Sequence, residues 1–250
     1  MKTTPTNSSA SLVAPIKTDR ITVQSYLQKR AELSQVEQFR VLCLRCRQPE
    51  FTCFCEHVQS FDPNITFLIL MHPIEFKRRV ATGRMSHLVL QNSILSIGED
   101  FTQDASVNAI LSNDDFQSYI LYPGPRSTNL SQISSIDKQN QFHRPKKKLA
   151  IVVIDGTWNT SNKMLRLSKN LHHLQQICFT PSHPSRFRVR KQPAPECYST
   201  IEAIHETIEL IGDSQGFATQ TREHDKLLYV FDKMVEQQLE FVEKSHSKNR

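Results

Sequence analysis

The sequence predicts an α/β domain: a mostly parallel sheet flanked by helices, preceded by a small cysteine-rich segment. Three observations carry this. Two apolar runs, Phe67–Met71 and Leu149–Ile154, have the length of strands buried on both faces. Helical stripes alternate with such runs along the chain, the pattern of crossover-linked parallel strands. Four cysteines fall within thirteen residues, Cys43 to Cys55.

Taken in order, residues 1–24 read as a disordered tail, rich in Ser and Thr, with no secretory apolar stretch and few basic residues for a transit peptide. Tyr26–Arg40 holds good helix formers, and with the cysteines it makes an N-terminal segment of residues 25–60. Residues 61–250 form the main domain. Ile65–Met71 is a buried strand ended by His72-Pro73. Gly83–Leu95 has a partial helical stripe, and Ser118–Tyr122 is a strand stopped by Pro123-Gly124-Pro125. Residues 126–148 are polar, then basic, and read as a long loop. Leu149–Ile154 is the central strand, ending at Asp155-Gly156; a helix from about Thr160 to Leu171 and a short strand, Gln176–Phe179, come after it. Ile201, Ile204, Ile208 and Ile211 stripe a helix with Gly212 at its C-cap, and a last helix runs from about Arg222 to Lys244. Ligands of open parallel sheets collect beyond the carboxyl ends of strands, so His72-Pro73, Pro123-Gly124 and Asp155-Gly156 become candidate site positions.

Charge points to a polyanionic partner. The net charge is +6, and Arg144–Lys148 and Arg186–Lys191 each carry +4, so the rest of the chain sums to −2. A third group comprises Lys77, Arg78, Arg79 and Arg84. Arg186, Arg188 and Arg190 alternate with Phe187 and Val189; on a strand the arginines would share one face, suited to phosphate. The candidates for contact with such a polyanion are therefore Arg78, Arg79, Arg84, Lys146, Lys147, Lys148, Arg186, Arg188 and Arg190. For each cluster the alternative is a solvated charged face. No apolar run is long enough for a membrane span, so no membrane partner is expected.

Cys43-x2-Cys46-x6-Cys53-x-Cys55 suits a closed, structural zinc site of four thiolates. A redox pair and buried free thiols are the alternatives. Six cysteines without a secretory segment imply reduced thiols and a cytoplasmic location. Cys178, in an apolar run, reads as core.

The segment Ile154-Asp155-Gly156-Thr157-Trp158 resembles the D-x-T-W signature of the DTW-domain proteins. Further segments match that family in order: the four cysteines, His72-Pro73-Ile74-Glu75, Thr82-Gly83-Arg84, Leu121-Tyr122-Pro123-Gly124, Lys163-Met164-Leu165, Ser185–Arg190 and Cys197–Ala203. The resemblance covers residues 43 to about 211. It implies a SPOUT-like fold and a tRNA-uridine aminocarboxypropyltransferase. Such an enzyme moves the 3-amino-3-carboxypropyl group of S-adenosylmethionine to N3 of a tRNA uridine and releases methylthioadenosine. The variable loop and the D-loop are the known target regions, and SPOUT-like folds often dimerise.

The residues can be weighed against that chemistry. A uridine N3 is nucleophilic only once its proton is removed, and Asp155 is placed to take it. Asp-Gly is also a common turn, and Asp a common helix cap. Thr157 and Trp158 join Asp155 as catalytic candidates; Trp158, the single tryptophan, is either a stacking platform or core. Leu121, Tyr122 and Pro123 are cofactor-binding candidates at a strand end. Ser199-Thr200-Ile201-Glu202 is a capping box, and the same helix amino end could hold the donor's carboxylate. Ser199, Thr200 and Glu202 therefore join the cofactor-binding set. His72 and Glu75 either orient a substrate or fix their turn. Two rival readings are a SPOUT-type methyltransferase using the same donor and a non-catalytic, zinc-containing RNA-binding module.

Overall fold

The computed structural model describes residues 24, 25, 28, 41–78, 80–189 and 197–247, with side chains up to residue 240. Compact units span Met1–Val41 and Leu42–Arg250; the sheet, its helices and the cysteine segment all belong to the second. The expected tail and the helix expected over Tyr26–Arg40 lie almost wholly outside the described residues, as do Arg79 and Arg190.

Strand β1 (Ile65–Met71) leads into α1 (Pro73–Lys77) and α2 (Thr82–Val89). Strand β2 (Ser93–Ile97), α3 (Ala105–Leu111), β3 (Phe116–Leu121), the two-residue β4 (Thr128–Asn129) and α4 (Ser135–Phe142) come next. Then come β5 (Lys148–Asp155), α5 (Trp158–Leu167), β6 (Gln175–Cys178), α6 (Thr200–Ile211) and α7 (Asp225–Ser247). The six strands form one sheet in the order β2-β1-β5-β3-β6-β4, and every neighbouring pair is parallel. Among the described residues no helix is long and apolar enough to cross a membrane.

The two clearest apolar runs are the two strands at the centre. All of β1 except Thr66 is buried, and β5 is buried from Leu149 through Val153. Alternation sends Phe67, Ile69, Ile151 and Val153 to one face, packed with Ile201, Ile204 and Ile208 of α6 and Leu227 and Phe231 of α7. Leu68, Leu70, Ala150 and Val152 go to the other, against Val107 of α3 and Met164 of α5. Each Val, Leu, Ile, Phe or Met among them contributes roughly 1.5–3 kcal/mol on leaving water. The same parity fixes the site: Asp155, four residues beyond Ile151, belongs to the face covered by α2 and α6.

Three local expectations need correction, and one holds in a modified form. The stripe read as a helix over Gly83–Leu95 breaks: α2 stops at Val89, and Ser93–Ile97 is an edge strand paired with β1. The loop read over residues 126–148 contains β4 and α4. Helix α4 is started by Ser134, whose hydroxyl accepts from the Asp137 N–H, and it buries Phe142. Gly212 is the C-cap of α6 as expected, its N–H donating to Ile208 O, with helical backbone (φ −57°). The chain continues from it into a 3-10 turn, Gly212–Gln215, and Gly216 (φ 74°) takes the left-handed position. Finally, Arg186 and Arg188 are not on a strand. Phe187 is buried and both arginines are exposed, but on an irregular segment with a turn closed by Arg188 N–H to Arg186 O.

Candidate active site and metal centre

The carboxyl ends of β1, β5 and β3 converge with the amino end of α6. Asp155, the last residue of β5, is 6% exposed. Its backbone carbonyl accepts from the His72 N–H at 2.9 Å, which locks the end of β1 beside it. Its Oδ1 accepts from the Thr200 hydroxyl, at the first residue of α6, at 2.7 Å. A hydrogen bond to a charged group of this kind contributes about 1.5–3 kcal/mol. Gly83 of α2 lies against the carboxyl: a Cβ there would stand 2.9 Å from Asp155 Cγ and 3.0 Å from Met71 Cε. Only glycine allows this approach, which gives the Thr82-Gly83-Arg84 segment its reason. Gly156 is similarly required, because a Cβ would fall 2.7 Å from the Thr160 hydroxyl and 2.9 Å from that of Ser161.

Thr157 caps α5, its hydroxyl accepting from the Thr160 N–H at 3.3 Å. Trp158 then opens the helix and is 59% exposed, not core. Its indole stacks on Tyr122 with ring centroids 5.7 Å apart and planes 11° from parallel. Tyr122, at the end of β3, donates its hydroxyl hydrogen bond to Asn162 Oδ1. Burial pushes the Tyr122 phenol up from its ordinary value. Its backbone is spent on the chain: the N–H donates to Ile177 O at 2.9 Å and the carbonyl accepts from Ser127 at 2.7 Å. Leu121 is half-buried and Pro123 exposed beside it.

The capping box at Ser199 is present. Glu202 is buried and accepts from the Ser199 N–H (2.8 Å), the Ser185 hydroxyl (2.8 Å) and the Arg186 N–H (2.6 Å). Its carboxylate therefore ties the Ser185–Arg186 segment to α6, and the α6 end that faces Asp155 is Thr200.

His72 and Glu75 both serve their turn. His72 Nδ1 accepts from the Ile74 N–H at 3.1 Å, which leaves Nε2 to donate to Glu99 Oε1 at 3.1 Å. Buried Glu75 pairs with Arg78 at 3.1 Å. Glu99 also pairs with Lys163 of α5, and that contact, ahead of His72, holds its carboxyl below the usual range. Glu99 and Asn162 were missed in the sequence. Glu99 comes after the strand hidden in the supposed helix, and Asn162 lies on a polar helix face that carries no pattern.

The cationic candidates separate. Lys146, Lys147 and Lys148 are exposed at the amino end of β5, opposite Asp155. Arg186 is exposed and pairs with Asp232 at 2.9 Å. Arg84 is the exception, only 6% exposed. It donates to Phe76 O at 2.6 Å and Cys46 O at 3.4 Å and stacks over the Phe76 ring, and burial lowers its pKa. It is thus a tie between α2 and the cysteine segment.

That segment closes on itself. Cys43 N–H donates to Gln48 O at 2.8 Å and Arg47 N–H to Cys43 O at 2.7 Å, with Arg47 left-handed (φ 61°). No disulfide joins the four cysteines; Cys43 and Cys55 sulfurs lie 3.7 Å apart, Cys46 and Cys53 3.6 Å, and all four lie within 4.8 Å of one another. Tetrahedral zinc with Zn–S bonds of about 2.3 Å places its sulfurs about 3.8 Å apart, so the cluster fits a metal. Backbone N–H groups of Cys46 and Arg45 pull the Cys43 thiol down to about 6, while burial raises Cys46 and Cys55. Cys178, read as core, is half-buried, and its thiol is raised by burial.

A parallel, doubly wound sheet with a buried carboxylate at the carboxyl end of its central strand defines a class of ligand-binding α/β domain. The chain belongs to the DTW domain family, whose model matches residues 40–239. It is 26% identical over 179 residues to tRNA-uridine aminocarboxypropyltransferase 2 of Mus musculus, covering 68% of this chain and 56% of that protein. The protein of the same name from Drosophila melanogaster is 27% identical over 176 residues, covering 68% of this chain and 66% of its own. This chain thus spans 56 to 66% of the length of these curated relatives. No solved structure matches it.

Proposed function

We propose that the chain is a tRNA-uridine aminocarboxypropyltransferase. In this reading it moves the 3-amino-3-carboxypropyl group of S-adenosylmethionine to N3 of a uridine in tRNA. The observation that carries the proposal is Asp155. It is buried at the end of the central strand, aimed by Thr200 and approached by Gly83. The name of the relatives supports the reaction, and the family resemblance supports the donor and a SPOUT-like assignment of the fold.

The donor's sulfonium makes the adjacent side-chain carbon electrophilic and departs as a neutral thioether. Asp155 removes the N3 proton as the N3–carbon bond forms; the carbon–sulfur bond breaks and its electron pair stays on sulfur. No departing anion needs stabilising, so positioning dominates. Trp158, exposed and stacked on Tyr122, offers its free face to a base or to adenine. Leu121, Tyr122 and Pro123 would line the donor side at the end of β3. The amino end of α6 at Ser199 and Thr200 would receive the donor's carboxylate, with Glu202 holding that end in shape. Cys43, Cys46, Cys53 and Cys55 would hold a structural zinc, and the exposed basic residues would bear on tRNA phosphates.

Unmodified tRNA and two labelled donors test this. Label from the donor's carboxyl carbon should enter the tRNA, and the labelled fragment then identifies the uridine. Methyl label in its place would replace the reaction by methylation, and entry of neither label, without a thermal shift on adding donor, would leave a binding module.

A further inference from the structure

Two clefts lie on the β6 side of the sheet, and neither belongs to the carboxyl-end site. One, of about 820 Å³, is bounded by β3, α4 and the residues before β6; the other, of about 590 Å³, lies along α5. They share Arg126, His172 and Gln176 in their walls, so they form one groove. Its permanent cations are Arg126, Arg144, Arg166 and Lys163, with His172 and His173 also in its walls, and its one acidic lining residue among those described is Asp137. Lys163 is paired with Glu99 and Asp137 is engaged by the Ser134 hydroxyl. Arg126, Arg144 and Arg166 are exposed and form no ion pair among the described residues. Elsewhere Arg78, Arg186 and Arg222 have acidic partners, while Arg45, Arg47 and Arg188 are exposed without an ion pair among the described residues, so what sets the groove apart is three such arginines lining one continuous cleft.

Between these cations the lining is rich in amides, Gln117, Asn140, Gln141, Gln175 and Gln176 in the larger cleft and Asn159 and Asn162 in the smaller, among a few apolar and hydroxyl side chains. Amides carry donors and acceptors together, as base edges and ribose hydroxyls do. Planar guanidinium groups match phosphate oxygens two at a time. The α5 end of the groove also has a direction. Asn162 accepts from Tyr122, Tyr122 stacks on exposed Trp158, and Trp158 is three residues from Asp155. At the other end Arg144 begins the basic segment that leads to Lys148.

We infer that this groove is a track for a single-stranded segment of the RNA substrate. In it, Arg126, Arg144 and Arg166 contact successive phosphates, the amides contact bases or riboses, and the strand is delivered to the Trp158–Tyr122 stack. Cationic grooves that end on a stacking ring are how single strands are held without a duplex. The inference rests on the proposed tRNA substrate and deepens it by naming the path to the site.

The test is binding of an unmodified tRNA transcript across a salt series, for the parent and for a triple variant, Arg126→Gln, Arg144→Gln and Arg166→Gln. All three side chains are exposed, so the thermal midpoint should hold. The expected result is an affinity loss of about tenfold or more and a salt slope shallower by about 2, at about 0.7 for each single-strand phosphate contact. Arg→Lys at the same positions should restore most of both, since the charge remains. If the parent binds tRNA and the triple variant matches it in affinity and slope, the groove is overturned while the proposed function stands. If the parent binds no tRNA, the proposed function fails and the groove with it. Photocross-linking of 4-thiouridine-substituted tRNA to the parent gives a reading that needs no variant. Cross-links within 117–144 or 159–176 support the track, and cross-links confined to other segments overturn it.

Discussion

Strand β5 carries two different worlds at its ends. Lys148, at the amino end, is exposed and stands beside Lys146 and Lys147. Asp155, roughly 23 Å away at the ~3.3 Å rise of a parallel strand, is buried. At the carboxyl end every neighbour is specified: Thr200 by hydrogen bond, Gly83 by close approach, His72 through the backbone. Beyond Gly83, Arg84 ties α2 to the cysteine segment. At the amino end the lysines are held through the backbone alone, Lys147 N–H donating to Arg144 O at 3.0 Å and Lys148 N–H to Asp115 O at 2.8 Å, and their side chains form no ion pair among the described residues. The contrast teaches that the two charged groups at the ends of one strand should respond to substitution on different scales: chemistry at one, affinity at the other.

The sharpest way to break the contrast is Asp155→Asn. Transfer should fall by on the order of 10²–10⁴-fold, while the thermal midpoint and donor binding stay close to the parent's. Near-normal turnover would remove Asp155 as the base. Next is Cys53→Ser. It should lower bound zinc, measured by elemental analysis, and destabilise the domain by about 4 kcal/mol or more, with activity falling only as a consequence. A parent that carries no metal and unfolds at the same temperature as this variant would sink the metal reading. Gly83→Ala should cost about 1–3 kcal/mol in chemical denaturation, because α2 or Asp155 has to move. A fully stable and active variant would show that the close approach is slack. The smallest effect belongs to the amino end. Lys147→Ala with Lys148→Ala should lower tRNA affinity by less than about tenfold and flatten its salt dependence by about 1.4, with turnover at saturating tRNA unchanged. A loss of turnover there would erase the distinction between the two ends.

How much of this was legible in the sequence depended on burial. β1 and β5 announced themselves because both faces are covered, leaving runs with no polar interruption. The capping box at Ser199 was equally plain, since its residues satisfy one another locally. β2 was hidden because its positions are only partly buried, and Leu95 continued the partial stripe begun at Leu88 in the helix before it. Helix α4 escaped because it buries only Phe142 and leaves its other apolar residue, Ile136, exposed, although Ser134 and Asp137 had the spacing of a capped start. At the site, Asp155 was found through its place after a strand. The partners that aim it come from residues 83 and 200, and such long-range pairing leaves no periodic trace. Arg84 shows the reverse error: a charge in a basic cluster read as surface is buried on an aromatic ring.

The stack of Trp158 on Tyr122 has a practical consequence. Trp158 is the chain's single tryptophan, so all indole emission comes from one half-open ring three residues from the candidate base. A ligand that covers the ring's free face would change the colour and intensity of that light, and one bound elsewhere would leave both alone. The protein therefore carries its own optical reporter, and docking of the proposed donor or RNA on that ring can be timed by stopped flow on the unlabelled chain.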